Sequence, residues 1–237
     1  MKHRNLQAEL MDDPDIDPRV HRAALKGLSR VNSISDAATP IARAIREHLL
    51  EEGAYPSSRL SLLDVATGSG DLPVKLAGQL EKDRLEFEMH ACDISPTALE
   101  ATAERSRASG VPITIHPVDV LSEPIPEADV ITCALFMHHL TEDDAVKVLA
   151  SMARSARKLL VVSDLCRTRA GLIMAAVATR VFTRSHVVHV DAVRSVQGAF
   201  TMPEMRDLAA RAGLSGAAVK PIRPARMLLS WKPGAHD

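Results

Sequence analysis

The residues with the clearest chemistry lie in Leu62-Leu63-Asp64-Val65-Ala66-Thr67-Gly68-Ser69-Gly70-Asp71. An apolar run ends in a carboxylate and a small, glycine-bearing loop, and a helix-like segment, Leu72–Leu80, follows. Glycines there let the backbone approach a ligand, because no Cβ stands in the way. A dinucleotide site requires G-x-G-x-x-G, with pyrophosphate on the helix N-terminus. Here Pro73 occupies the third glycine position, and Asp71 lies where the diphosphate would sit. A carboxylate repels phosphate and suits a ligand that carries positive charge.

Two more carboxylates follow apolar runs. Asp93, in His90-Ala91-Cys92-Asp93-Ile94-Ser95, could accept hydrogen bonds from both hydroxyls of a ribose. Asp119, in Pro117-Val118-Asp119-Val120-Leu121, could accept from an exocyclic adenine amine, with Val120 beside the ring. Asp64 and the backbone around Gly68 and Gly70 would hold a charged amino-acid end. Ala66, Thr67, Ile94 and Leu135 complete the expected cofactor set. The ligand these groups describe is S-adenosylmethionine, with its ammonium, sulfonium and nucleoside. Taken singly, Asp64 could cap a turn and Asp93 could cap the helix near Pro96.

A methyl acceptor needs alignment and, when it is a hydroxyl, a base with a pKa near the working pH. Histidine is the natural choice. Phe136-Met137-His138-His139-Leu140 supplies two, and His139 is the preferred base, with His138 second. Either could instead cap the helix starting near Thr141. In Thr183–Asp191, His186, His189 and Asp191 have generic metal-ligand spacing, so a pocket wall is expected there and no metal. Arg167, Arg169, Arg184 and Arg194 could meet an anionic substrate group or be solvated surface residues. The apolar helix Leu172–Phe182, with Phe136, Met137, Phe200 and Met202, could line an acceptor pocket or be core.

Alternating elements must position these groups. Strands are expected at Leu60–Ala66, Leu85–Cys92, Ile113–Pro117, Ala128–Phe136 and Leu159–Ser163. Helices are expected at Leu72–Leu80, Pro96–Ser109 and Glu142–Ala156. This beat implies an α/β fold, a doubly wound Rossmann-like sheet with ligands beyond the strands' carboxyl ends. Met202–Ala212 has capping-box spacing from Thr201 to Glu204, and short strands near Ala217–Pro221 and Met227–Trp231 close the chain. Helical spacing also marks residues 19–32 and 39–51. The expected organisation is an N-terminal helical extension or lid over 1–58, then one domain over 59–237 with a substrate-pocket insert at about 164–201.

The 237 residues allow one sizeable core. A net charge of -1 and 3% aromatic content give no footprint for nucleic acid. Three cysteines without a CxxC pair fit a reduced, cytoplasmic setting. No signal peptide or membrane span is expected; the longest apolar candidate, Ala170–Phe182, is short and contains Arg180. Monomer and homodimer both remain open.

The segment Leu63–Leu72 resembles class I S-adenosylmethionine-dependent methyltransferases, in particular the ubiquinone/menaquinone-biosynthesis group with its D-V-A-x-G-[ST]-G-D-L pattern. Ala66 departs from the family's usual first loop glycine. Asp164 after strand 5 and the Thr183–Thr201 insert resemble bacterial methyltransferases encoded beside type III polyketide synthases. That resemblance implies a seven-stranded sheet with an antiparallel last strand. It also implies a small-molecule acceptor, with Phe136, Met137, His139, Asp164, Arg167, Arg184, His186 and His189 on the acceptor side. O-methylation of an aromatic, polyketide or quinone-type metabolite is the expected reaction. C- or N-methylation is the alternative, and a nicotinamide-dependent oxidoreductase or a binding protein without chemistry are the rivals.

Overall fold

The computed structural model describes residues 3–12, 16–17, 19–20, 24, 36–51 and 59–234. Helix α1 (Ala38–Glu51) precedes β1 (Leu60–Val65), α2 (Asp71–Lys82), β2 (Phe87–Asp93), α3 (Pro96–Ser109) and β3 (Ile113–Pro117). Next come β4 (Ala128–Ala134), a 3-10 turn at Met137–His139, α4 (Glu142–Ser155) and β5 (Ala156–Leu165). The chain ends with α5 (Arg169–Phe182), α6 (His186–Gly198), α7 (Met202–Arg211), β6 (Ala218–Ile222) and β7 (Arg226–Trp231). The helix expected over 19–32 falls largely outside the described residues.

The seven strands form one sheet, ordered β3-β2-β1-β4-β5-β7-β6. Pairings from β3 to β5 are parallel, whereas β7 runs antiparallel between β5 and β6. This is the expected Rossmann-like, doubly wound arrangement. Successive strand residues feed two different cores, as period-2 geometry demands. Leu62, Leu159 and Val161 pack with Ile41 and Ile45 of α1 and Leu76 and Leu80 of α2. Leu63, Leu160 and Val162 face the opposite side, against Leu149 of α4 and Leu208 of α7.

Several boundaries differ from expectation for local reasons. Strand β4 stops at Ala134 because Leu135 turns to φ 56°, which no strand residue can hold. Helix α5 begins at Arg169, since the Thr168 hydroxyl accepts from Gly171 N at 2.9 Å and caps it. The His- and Val-rich stretch, to which the sequence assigned no element, is helix α6, capped by Ser185. Its buried face includes Asp191, so its apolar period is broken by a carboxylate. Cys92, Cys133 and Cys166 are all buried free thiols.

Candidate active site

The site is assembled at the carboxyl edge of β1, β2, β4 and β5. At the end of β1 the chain turns sharply: Ala66, Gly68 and Gly70 have φ of 53°, 57° and 73°. Gly70 has a second constraint, because a Cβ there would lie 3.0 Å from the Thr102 side chain. Helix α3 therefore sits directly against the loop. Thr102 donates to Gly68 O at 3.0 Å, and Arg105 donates to Ser69 O at 2.8 Å.

Asp71 does not project freely from this loop. It pairs with Arg105 at 2.9 Å and accepts from the Ser69 hydroxyl at 2.9 Å. Its charge is thus shared with Arg105 of α3. Asp64 lies beneath the loop, 2% exposed, accepting from Thr132 at 2.9 Å. Burial pushes its carboxyl up to about 7, against the Thr67 and Thr132 hydroxyls and aided by Asp93. It acts on the loop from below, without surface contact.

Asp93 is placed as expected, half-buried at the end of β2. One oxygen accepts from Gly68 N and the other from Ser95 N, each at 2.9 Å. These bonds fix the carboxylate plane and leave lone pairs on both oxygens. Asp119 likewise accepts from Leu121 N at 3.0 Å and Ser122 Oγ at 2.7 Å. Those hydrogen bonds hold it below the usual carboxylate range. Beside these two aspartates, Ile94 and Leu121 are exposed large apolar side chains, while Val120 is buried. Two carboxylates flanked by two uncovered apolar groups could accommodate a nucleoside. Leu121 was not expected from the sequence, and Val120, expected beside the ring, is part of the core.

The histidines stand at the end of β4. His138 is buried, with Nδ1 donating to Asp164 Oδ1 at 2.7 Å and its backbone N donating to Asp164 Oδ2 at 3.1 Å. Burial opposes its charge, but the Asp164 contact outweighs that and raises its pKa. Burial also opposes the charge on Asp164; His138, the Leu165 N–H and Arg226 prevail and leave that carboxyl below its usual range. His139 lies on top, its ring 4.2 Å from that of His138, with the side chain 33% exposed. Desolvation and the neighbouring His138 push His139 down to about 4. It is neutral at pH 7.

A third group arrives from far away in sequence. Glu9 Oε1 lies 3.9 Å from His138 Nε2 and 4.0 Å from His139 Nδ1. The segment that carries it is pinned to α6. The Ser195 hydroxyl bonds Glu9, and the Asp191 carboxylate accepts from Leu10 N at 2.7 Å and Met11 N at 3.1 Å. Arg4 donates to the carbonyls of Gly198, His138 and Leu140 and lies 3.8 Å over the Phe200 ring. Nothing in the polar stretch 3–12 marks Glu9 or Arg4, because their partners are more than a hundred residues away.

Other expected acceptor-side residues are placed differently. Met137 and Phe200 are fully buried in the core, so they line no pocket. Phe136 and Met202 are partly buried beside them. Arg167 is buried, bonding Glu204 and donating to Ala199 O at 3.0 Å; it fastens the start of α7 and cannot meet a substrate anion. Asp164 serves His138, from inside the protein. His189 donates to Thr183 O at 2.9 Å, closing the α5–α6 corner, while Arg184 and His186 are exposed there. His186, His189 and Asp191 form no metal-ligand group; among the described residues that geometry is approached by Glu9, His138 and His139, within 4.8 Å of one another.

Residues 62–158 match the family model described as a methyltransferase domain. A comparison with curated proteins finds no match. Among solved structures, the chain is similar to an O-methyltransferase family 2 protein from Planctomyces limnophilus in complex with apigenin. The two share 20% identity at a TM-score of 0.64, over 92% of this chain and 63% of that one. It is also similar to magnesium protoporphyrin IX methyltransferase from Synechocystis with bound S-adenosylhomocysteine, at 15% identity and TM-score 0.55, over 93% and 89%. A third is the S-adenosylmethionine-dependent methyltransferase SibL, at 15% identity and TM-score 0.65, over 96% and 63%. The chain therefore spans under two thirds of the length of the first and third. The fold is the Rossmann-like one of these methyltransferase structures.

Proposed function

We propose that this protein is an S-adenosylmethionine-dependent methyltransferase that O-methylates a small aromatic, polyketide or quinone-type acceptor. One observation carries the reading: the carboxylates Asp64, Asp93 and Asp119 and the unit Asp164–His138–His139 share one edge of the sheet. The methyltransferase-domain match and the apigenin complex of a structural neighbour support it.

The donor set fits the cofactor. Asp93 and Asp119 offer acceptor lone pairs for hydroxyls and an amine, Ile94 and Leu121 cover the ring, and the Gly68–Gly70 backbone permits close approach. Asp64, its carboxyl pushed up to about 7, lies beneath the loop and is only partly charged at neutral pH. When bound, S-adenosylmethionine supplies an electrophilic methyl group. The protein's own part is to orient the acceptor, exclude water and take up a proton. His139, neutral and reaching solvent, accepts a hydrogen bond from the acceptor hydroxyl and takes its proton only as the methyl transfers; with a pKa of about 4 it is a weaker base than the sequence led us to expect. His138 and Asp164 fix the ring beneath it. Segment 3–12 acts as a lid strapped over the histidines, with Glu9 facing both, whereas α1 belongs to the core. The acceptor is a small molecule, and no nucleic acid is a partner.

Calorimetric titration with S-adenosylmethionine, S-adenosylhomocysteine and NADH tests the cofactor, and a screen of phenols then tests the acceptor. Micromolar binding of the first two alone, about -8 kcal/mol, is expected. Binding of NADH alone would reassign Asp93 to a dinucleotide ribose.

A further inference from the structure

Helix α5 carries an apolar face that is exposed among the described residues. Of the nine large apolar side chains exposed among the described residues, five belong to it: Ile173, Met174, Val177, Val181 and Phe182. Ile173, Val177 and Val181 recur every four residues and form one stripe, with Met174 beside it. The opposite face is buried through Gly171 and Thr179. The stripe is thus the outward side of a helix roughly 21 Å long, at about 1.5 Å per residue.

The formal charge of the helix and its flanking segments has one sign. No Asp or Glu occurs between Asp164 and Asp191. Arg169, Arg180 and Arg184 are exposed at the two ends of the helix. Arg180 donates to Ala176 O at 2.7 Å, which holds its guanidinium along the helix. The loop bearing exposed Arg223 abuts the start of α5, since a Cβ on Gly171 would meet that of Ala225 at 2.9 Å. The neighbouring carboxylate of α6, Asp191, is buried and occupied by the Leu10 and Met11 amides.

We propose that α5 is a membrane-surface helix that seats the protein on an anionic lipid bilayer, its stripe among the acyl chains and its arginines at the headgroups. An amphipathic helix of this length, apolar on one side with only cationic flanks, has the character of an interfacial anchor. The charge argues against a second copy of this chain as occupant. A two-fold contact along α5 would set arginines against arginines, since the helix and its flanks carry no carboxylate from residue 165 to 190. No helix among the described residues is long and apolar enough to cross a membrane, so the contact is peripheral. The inference stands on α5 alone and is independent of the cofactor reading.

Vesicle co-sedimentation of the full chain tests it, with phosphatidylcholine vesicles and with vesicles also containing phosphatidylglycerol. Binding to the phosphatidylglycerol vesicles, falling as salt rises, is expected. Ile173→Asp/Val177→Asp abolishes it, and Arg180→Ala and Arg184→Ala each lower partitioning about fivefold. These side chains face outward, so the thermal midpoint stays unchanged and certifies the fold. Absence of vesicle binding overturns the proposal, as does undiminished binding by the Asp variant. Self-association in sedimentation velocity that Ile173→Asp/Val177→Asp dissolves would assign the face to a second copy and overturn it equally.

Discussion

Asp164 holds His138 twice, with one oxygen on the ring Nδ1 and the other on the backbone N–H. A single carboxylate thereby fixes the turn after β4 and the orientation of the imidazole below His139. Asp164→Asn keeps the size but loses the charge. It is expected to lower kcat roughly 10²-fold, the scale of assisted proton transfer, while cofactor affinity measured by calorimetry stays within a fewfold. Equal loss in both would make Asp164 a purely structural support.

His139 stays neutral down to about pH 4, because burial and His138 disfavour its cation. Methyl transfer that uses it as a proton acceptor is therefore retained at pH 5 to 6, where an ordinary histidine would be lost. His138→Asn removes one cause of the depression. The His139 pKa then rises, and the acid limb of the kcat profile moves to higher pH. An unmoved limb would show that another group limits the rate.

Asp64 carries a raised pKa in the folded protein, about 7 against 3.8. Between these values the folded state keeps a proton that the unfolded chain releases. Stability from this group therefore falls as pH climbs from about 4 to 7 and is level above. Asp64→Asn removes that slope. Thermal midpoints at pH 5 and pH 8 should show the variant gaining on the parent at the higher pH, by a few kcal/mol at most.

Gly70 and Ala66 should respond in opposite directions. Gly70→Ala combines an unfavourable φ with a 3.0 Å approach to Thr102 and should cost about 1–2 kcal/mol, near 2–4 °C per kcal/mol in thermal midpoint. Ala66→Gly releases a left-handed alanine, and its midpoint should be unchanged or slightly higher.

A chelator should leave turnover unchanged. Glu9 stands 3.9 and 4.0 Å from the two histidine nitrogens. Ligands at about 2.1 Å from a shared tetrahedral ion sit about 3.4 Å apart. Loss of activity in chelator, restored by zinc, would assign the three groups to a metal.

The sheet and the residues at the carboxyl ends of its strands were legible because each signal is local. Asp93 follows its own strand, Gly70 its own turn, and the Thr201–Glu204 capping box forms within one helical turn. What escaped depends on distant partners. Met137 and Phe200 read equally well as pocket or core, and only packing decides between them. Arg167 looks available until Glu204 is seen against it. Glu9 is one acidic residue in a polar stretch until folding brings it to the histidines. Helix α6 was hidden by Asp191, a carboxylate on a buried face that serves the backbone of residues 10 and 11.

The placement of β7 between β5 and β6 has a consequence for synthesis. During translation the outer edge of β5 emerges well before Arg226–Trp231, the strand that pairs with it. Leu159–Val162 thus spend that interval beside unpaired backbone, exposing an apolar strand edge of the kind that recruits other chains. The β6–β7 hairpin must arrive as a unit to seal it. A ribosome-bound intermediate truncated before residue 218 should be the most aggregation-prone species of this protein and the one most in need of a chaperone.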